Sequence, residues 1–503
     1  MQDSTRVITN TIILYVKVIL STVVGFFTTR FVLQNLGAED YGINNIVAGV
    51  VAMLSFMSIS MTTSTLRFNA YYLGKNDESK QIEVFNSSLG VHLILGLVIV
   101  VLLESFGVLF LENVLNIPSG RLSVAKCIFH FVTFSMFITV LSVPYDAVLN
   151  AHENMLLFSI VSIIETIIRF GIAVLLFFIP FDKLLFYSIA ISFVPLVILI
   201  LKHFICSKKY SEVKLSFQSC TKSMAKEMFG FTFWNMFGAF SNTCKNQGVA
   251  MVINVFYGVV VNAAYGIANQ VNGMLSYITG SLQKSLNPLI MKNEGSGDNS
   301  RMLFLAYTQC KYSVLLLAII VLPIFGNLDY LLALWLKDVP EHTTVFCKLI
   351  LVYNMIMMLT TGIQVAVQAH GVIKNYQIVM GSIILLNLPI SYILLKIGLP
   401  VESVVVSFMA VELILIVSRL LFAKKLIGLK ISDYLKQVIY PLRFILLTVP
   451  VLVLVDFYFP VKVFFGFCFA FVFKFICCIV SILFLSCDNQ ERNKLFNLLN
   501  LKK

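Results

Sequence analysis

Six basic residues stand inside long apolar stretches of the sequence, Lys17, Arg30, Arg169, Lys245, Lys348 and Lys474, while Lys126, Lys202, Lys284, Arg419 and Arg443 near stretch ends count with the connections. Arg30 and Lys348 lie near the ends of their stretches, where a long side chain reaches water while its stem stays in apolar surroundings. Arg169 follows Glu165 by four residues, which puts the pair on one helix face. Lys474 shares its stretch with apolar groups and has no local partner. Lys17 and Lys245 sit near the centres of theirs, where an ammonium costs about 2.5 to 3.5 kcal/mol on insertion scales. Each is therefore expected to face a protein interior or a wet cavity. There an ammonium holds anionic oxygens more strongly than it does in water.

Polar residues accompany both lysines at helical spacing. Lys17, Ser21, Gly25 and Thr28 share one face, as do Ser55, Ser58, Thr62, Thr65 and Asn69. A longer stripe holds Asn269, Asn272, Ser276, Thr279, Gln283 and Asn287, while Asn242, Asn246 and Gln247 surround Lys245. Hydrogen bonding between helices accounts for any one stripe, at about 0.6 kcal/mol per bond. Their recurrence at matching places in the two halves of the chain points instead to a hydrated path lined by hydroxyls, amides and two ammonium groups. Such a lining suits sugars and phosphate.

Glu104, Glu165 and Glu412 are the buried-looking carboxylates of the apolar stretches. Pairing with Lys or Arg on a neighbouring helix is the favoured expectation for them; a proton or sodium relay through Glu104 or Glu412 is the alternative. The six His are scattered and the ten Cys form no Cys-x-x-Cys pair, so neither a metal site nor a disulfide framework is expected. No glycine-rich loop ends in Gly-Lys-Ser/Thr, so no ATPase is built in, and no cofactor is expected.

The elements that position these residues follow from composition. Hydrophobic residues make up 59% of the chain and charged residues 12%, about half the charged share of soluble domains. Fourteen apolar stretches are long enough to cross a bilayer. They lie near 9–33, 43–66, 90–112, 124–148, 156–179, 184–205, 228–256, 263–287, 312–334, 344–369, 376–395, 402–422, 440–458 and 463–486. The first has no cleavage site and reads as an uncleaved span. The expectation is an all-α polytopic membrane protein without a water-soluble catalytic domain. Charge orients it: the N-terminus, even-numbered connections and C-terminus hold 25 Lys and Arg. The odd-numbered connections hold six, Arg121, Lys126, Lys183, Lys337, Lys396 and Lys462. Basic loops stay cytoplasmic, so both termini are expected inside, and the net charge of +12 needs no nucleic acid to explain it.

The chain also repeats itself. Tyr41-Gly42-Ile43-Asn44-Asn45 at the start of the second span returns as Tyr265-Gly266-Ile267-Ala268-Asn269 at the start of the eighth, and Ala151-His152 returns as Ala369-His370. Six spans separate the copies, so both halves enter from the same side, a parallel repeat of the kind that flanks the substrate path of secondary transporters. The expected organisation is a six-helix lobe over 1–205, a cytoplasmic linker over 206–227, a second six-helix lobe over 228–424, and two further helices with a cytoplasmic tail over 425–503.

Three stretches carry a family resemblance. They are Thr29-Arg30 through Leu36-Gly37-Ala38-Glu39-Asp40-Tyr41-Gly42 to Arg67; Asn246-Gln247-Gly248 through Asn262-Ala263-Ala264-Tyr265-Gly266 to Asn287-Pro288-Leu289-Ile290; and Leu334-Trp335-Leu336-Lys337-Asp338-Val339-Pro340. Through them the sequence resembles the O-antigen type oligosaccharide flippases, of the superfamily that also holds multidrug and toxic compound extruders and lipid II flippases. The resemblance implies two lobes that open alternately to either face of the bacterial cytoplasmic membrane. The cargo it implies is an undecaprenyl-pyrophosphate-linked oligosaccharide, carried outward for surface polysaccharide synthesis, with other polysaccharide assembly proteins as possible partners. Spans thirteen and fourteen would match the two extra helices of the lipid II flippases. Basic cavity residues would meet the pyrophosphate, with Lys17, Arg30, Arg67 and Lys245 as candidates beside Asn246, Asn269, Asn272, Ser276 and Gln283. A cation-coupled drug exporter is the alternative and calls for an acidic cavity; a membrane polymerase or ligase calls for a larger external loop than any here.

Overall fold

A computed structural model of the chain describes residues 2–52, 55–107, 119–216, 219–336, 339–458, 464–486 and 491–492. Lys337, Asp338, Lys462, Lys494, Lys502 and Lys503 of the sequence reading lie outside the described residues. Among the described residues every regular element is helical. A lipid-facing backbone must satisfy its own N–H and C=O groups, and a helix does so within one segment. Large apolar side chains such as Phe178, Phe457, Phe465 and Phe469 are accordingly exposed on the helices and their ends.

The chain divides into two compact units, Met1–Ala239 with Met291–Asp298, and Phe240–Ile290 with Asn299–Lys503. The first contains α1 (Gln2–Ala52), α2 (Ser55–Gly74), α3 (Glu78–Leu102), α4 (Leu122–Ala151), α5 (Met155–Leu175) and α6 (Lys183–Lys209). Here α1 lies along α5, and α4 packs against α6, α2 and α3. The boundary falls within α7 (Lys222–Gly295). The second unit goes on with α8 (Asn299–Phe325), α9 (Leu328–Leu336), α10 (Thr343–Met358), α11 (Thr361–His370), α12 (Lys374–Leu385), α13 (Asn387–Lys396), α14 (Ser403–Ile427), α15 (Ile431–Tyr434), α16 (Phe444–Tyr458) and α17 (Phe464–Leu485). In it α10 to α13 pack on α14, while α8 lies against α10, α11 and α17.

Among the described residues ten helices are long and apolar enough to cross a membrane, or eleven if α10 and α11, bent by 41°, count as one. This is a multi-pass membrane protein. The fourteen stretches of the sequence reading exceed that number by the ones near 43–66, 228–256 and 263–287. All three carry polar stripes, and of the stretch 43–66 residues 53 and 54 lie outside the described residues.

The connections expected between the first and second spans and between the seventh and eighth are tight: each is a kink between two helices, within α1 and within α7. Each helix is broken at a single glycine of nearly the same conformation, Gly37 at φ 76 and ψ 170, and Gly258 at φ 77 and ψ −172. A side chain is strained in that region, which is why glycine serves. The match extends to the loops: Asn76 and Gly297 both have positive φ, as do Glu153 and Gly371. The first two pairs are 221 positions apart and the third 218.

Side chains cap the ends. The Lys80, Leu185 and Met224 amides donate to Asp77, Asp182 and Thr221 at 3.0, 3.0 and 3.3 Å. At the same end of the first unit as Asp182, Arg121 Nη1 donates to Asp182 at 2.6 Å and Nη2 to Asp40 at 2.7 Å. Burial pushes the Asp182 carboxyl up, but the Leu185 amide and the Arg121 guanidinium outweigh it and hold it below the usual range. The second unit has the corresponding pair, His342 Nδ1 and Glu402 at 2.6 Å.

Candidate functional site

In the first unit, Lys17 points from α1 toward α5, with Nζ 5.9 Å from the centre of the Phe158 ring. One turn on, Ser21 Oγ lies 3.4 Å from Thr166 Oγ1. The carboxylate that acts on Lys17 is Glu165. That carboxylate is engaged by Arg169 on its own helix, through Nε at 3.0 Å and Nη2 at 2.9 Å. Among the described residues no carboxylate comes within ion-pair distance of Lys17. Its charge is met by a π face and by partial exposure.

The other candidates of this unit sit apart from it. Arg30 is exposed. Arg67 is buried at the far part of α2, its guanidinium 4.6 Å from the Phe68 ring, 4.8 Å from Tyr71 and 5.5 Å from Phe231. Glu227 lies 3.9 Å away. Glu104 occupies a π-helical turn, Leu103–Gly107, with Oε2 2.8 Å from His130 Nδ1. Wide turns of this kind often mark functional positions in helices.

In the second unit the candidates converge on α10, which the sequence reading passed over. Lys245, 5% exposed, donates to the Tyr353 hydroxyl at 2.9 Å. Its Nζ also stands 4.8 Å from the Tyr353 ring and 5.0 Å from that of Phe408. Beside it on α10, Asn354 Nδ2 donates to Asn272 Oδ1 at 2.6 Å. One turn further, Gln283 reaches Met358 Sδ at 3.3 Å. So α10 holds α7 on both sides of the Gly258 break. The signal was present as Tyr353-Asn354, a polar pair within an otherwise apolar run.

The remaining stripe residues fall into two groups. Asn269 donates to Tyr265 O and Ser276 to Asn272 O, so each bonds its own helix. Asn246 and Asn269 are exposed, and Ser276, Asn272 and Gln283 are half-buried. Lys17 and Lys245 lie 20 and 13 residues before the glycine breaks of their helices.

Glu412 is engaged too. Arg419 Nη1 donates to it at 2.6 Å and to Thr360 Oγ1 at 2.8 Å, all buried. Arg419, which the sequence reading put in a connection, therefore pins the bend between α10 and α11. The Tyr434 hydroxyl donates to Leu359 O at 3.0 Å at the same bend. Among the described residues no carboxylate lies within ion-pair distance of Lys245, and Glu412, which attracts it, is spent on Arg419. Lys474, without a local partner in sequence, is fully buried and paired with Asp456, which also accepts from Asn327 Nδ2 at 3.0 Å. Among the described residues no group of three His, Cys, Asp or Glu is placed to hold a metal.

No family model matches the sequence. The chain is 19% identical over 327 residues to the uncharacterized membrane protein EpsK of Bacillus subtilis (strain 168). That alignment covers 65% of this chain and 64% of EpsK, just under two thirds of its length. Several solved structures share the fold. An outward-facing multidrug resistance MATE family transporter of the MOP superfamily superposes with a TM-score of 0.70 at 12% identity, over 85% of this chain and 97% of that one. A MOP superfamily transporter from Pyrococcus furiosus gives 0.72 at 12%, over 85% and 97%. The Vibrio cholerae MATE transporter VcmN in the bent form gives 0.68 at 14%, over 87% and 99%. The chain has a MATE-like fold.

Proposed function

We propose that this protein is a flippase that moves undecaprenyl-pyrophosphate-linked oligosaccharide outward across the bacterial cytoplasmic membrane by alternating access. One observation carries the reading. The carboxylates that act on Lys17 and Lys245 are each spent on an arginine of their own helix, so among the described residues both units keep an ammonium with no acid within ion-pair distance. A pyrophosphate needs such charge, whereas a cationic drug is repelled by it. The P. furiosus transporter is described as having a binding pocket of reversed polarity that suggests a different function, so this fold tolerates a change of pocket charge.

In this reading Lys17 and Arg30 are the cargo contacts of the first unit, and in the second unit Asn246 and Asn269 stand in accessible positions. Lys245 adds its field from behind Tyr353, and Asn272, Ser276 and Gln283 complete the polar surface. Arg67, caged by three rings, orders the end of α2. The polar helices of 43–66, 228–256 and 263–287 cross the membrane as well, which restores fourteen spans. They form two six-helix lobes, 1–205 and 228–424, joined by the linker 206–227 and followed by two helices in 425–503. The paired backbone features at 37 and 258, 76 and 297, and 153 and 371 support a parallel repeat. The distribution of Lys and Arg supports cytoplasmic termini.

A second reading, export of drugs coupled to a cation, has the shared MATE-like fold in its favour. It would use Glu104, the acid beside His130, with Glu412 as a further coupling candidate. Expression in cells lacking a surface-glycan flippase separates the two. The flippase reading expects surface glycan to return and the lipid-linked intermediate to fall, with drug accumulation unchanged. Lower drug accumulation without glycan at the surface would favour the second.

A further inference from the structure

In the second unit, the first turns of α8, the connection from α15 to α16 and the end of α17 enclose a cavity of about 870 Å³. Its charged lining is mainly basic: Lys311, Lys436 and Arg443, with Glu491 the one acid among the residues that line it. Lys311, whose side chain is 8% exposed, donates to both Glu491 oxygens, at 3.0 and 2.7 Å. Arg443 lies over the Tyr440 ring at 4.1 Å. A buried ammonium gripping two oxygens of one planar anion is the arrangement that would hold two oxygens of a phosphate. Glu491 stands in for that ligand. Two positive charges remain after the Lys311 pair is counted, so the cavity is still attractive to an anion.

The surroundings say how the phosphate arrives. Tyr440, Leu435, Phe304 and Phe484 line the same cavity with exposed apolar surface. A soluble anion has no use for that surface; acyl chains do. Aromatic and basic side chains beside one another at the ends of spans are also what a lipid headgroup layer favours.

We infer that this cavity binds the phosphate of an anionic phospholipid headgroup, with Lys311, Lys436 and Arg443 as its cations and the Glu491 carboxylate as an internal competitor. The site is separate from the transported cargo and stands whether or not the flippase reading does. The test uses the purified full chain in nanodiscs of phosphatidylcholine with or without phosphatidylglycerol, read by thermal midpoint and by native mass spectrometry of retained lipid. Phosphatidylglycerol should raise the midpoint and be retained at one copy per chain. The exposed Lys436→Gln variant, which removes no buried contact, should weaken that retention about fivefold, the contribution of one basic residue near an anionic surface. Glu491→Gln should strengthen it. Equal midpoints with and without phosphatidylglycerol, or weaker retention in Glu491→Gln, would overturn the site. Protection by millimolar inorganic phosphate as large as that by the lipid would overturn the lipid source.

Discussion

Gly74 and Gly295 pack reciprocally, each against the backbone of the other's helix. A Cβ on Gly74 would fall 1.9 Å from the carbonyl oxygen of Lys292, and one on Gly295 would fall 1.9 Å from that of Tyr71. The two glycines are 221 positions apart, and so are Tyr71 and Lys292. The contact is self-complementary, the pattern that the proposed two-fold repeat calls for. Backbone cannot move aside cheaply, so Gly74→Ala and Gly295→Ala should each cost about 1 to 3 kcal/mol. Because both methyls open the same crossing, the double variant should cost less than the sum, as read from thermal unfolding in detergent. Additive costs would mean two independent contacts.

The Lys474–Asp456 pair makes a second prediction. Removing Asp456 strands the fully buried Lys474 ammonium, so Asp456→Asn alone should destabilise the protein by about 3 to 5 kcal/mol, and Lys474→Met, which leaves a partly exposed carboxylate, by less. The double variant should recover most of that loss. Thermal midpoints of the three variants decide it, and a double variant worse than either single one would reject the pairing.

Glu412 is predicted to act through structure at the α10–α11 bend. Glu412→Gln should lower stability and slow export together, while Glu412→Gln combined with Arg419→Met should restore both. If export stayed lost with stability recovered, Glu412 would be a coupling residue instead.

Much of this was legible in the sequence, and the gaps have physical causes. The proposed repeat is legible at Tyr41 and Tyr265, which both precede buried helix faces, and not at Gly37 and Gly258, since a lone glycine reads equally as a turn or a kink. Hydropathy located Lys474 but not Asp456, because a sequence gives the position of a residue along a helix and not which neighbour that face meets. Arg419 read as a loop cation because charge marks span ends in most cases; here Glu412, two turns earlier on the same helix, keeps it inside. Tyr353 and Asn354 were missed because single polar residues in an apolar run are usually interhelical bonds of little weight.

Topology gives a fourth prediction. In a cysteine-free background, single cysteines within 202–216 and 424–434 should react with a membrane-impermeant thiol reagent only after the membrane is opened. One at Glu341 should react in intact cells. Labelling of all three from the same side would reject the charge-based orientation.

The central claim is that uncompensated ammonium groups recognise a pyrophosphate. The direct measurement is glycan export, normalised to protein level, for Lys17→Ala, Lys245→Ala and their arginine and glutamate counterparts. Either alanine should abolish export while insertion is preserved, because removing a lysine from within the membrane relieves an insertion cost. Arginine should rescue in part and glutamate not at all. Full export by both alanine variants would contradict the account.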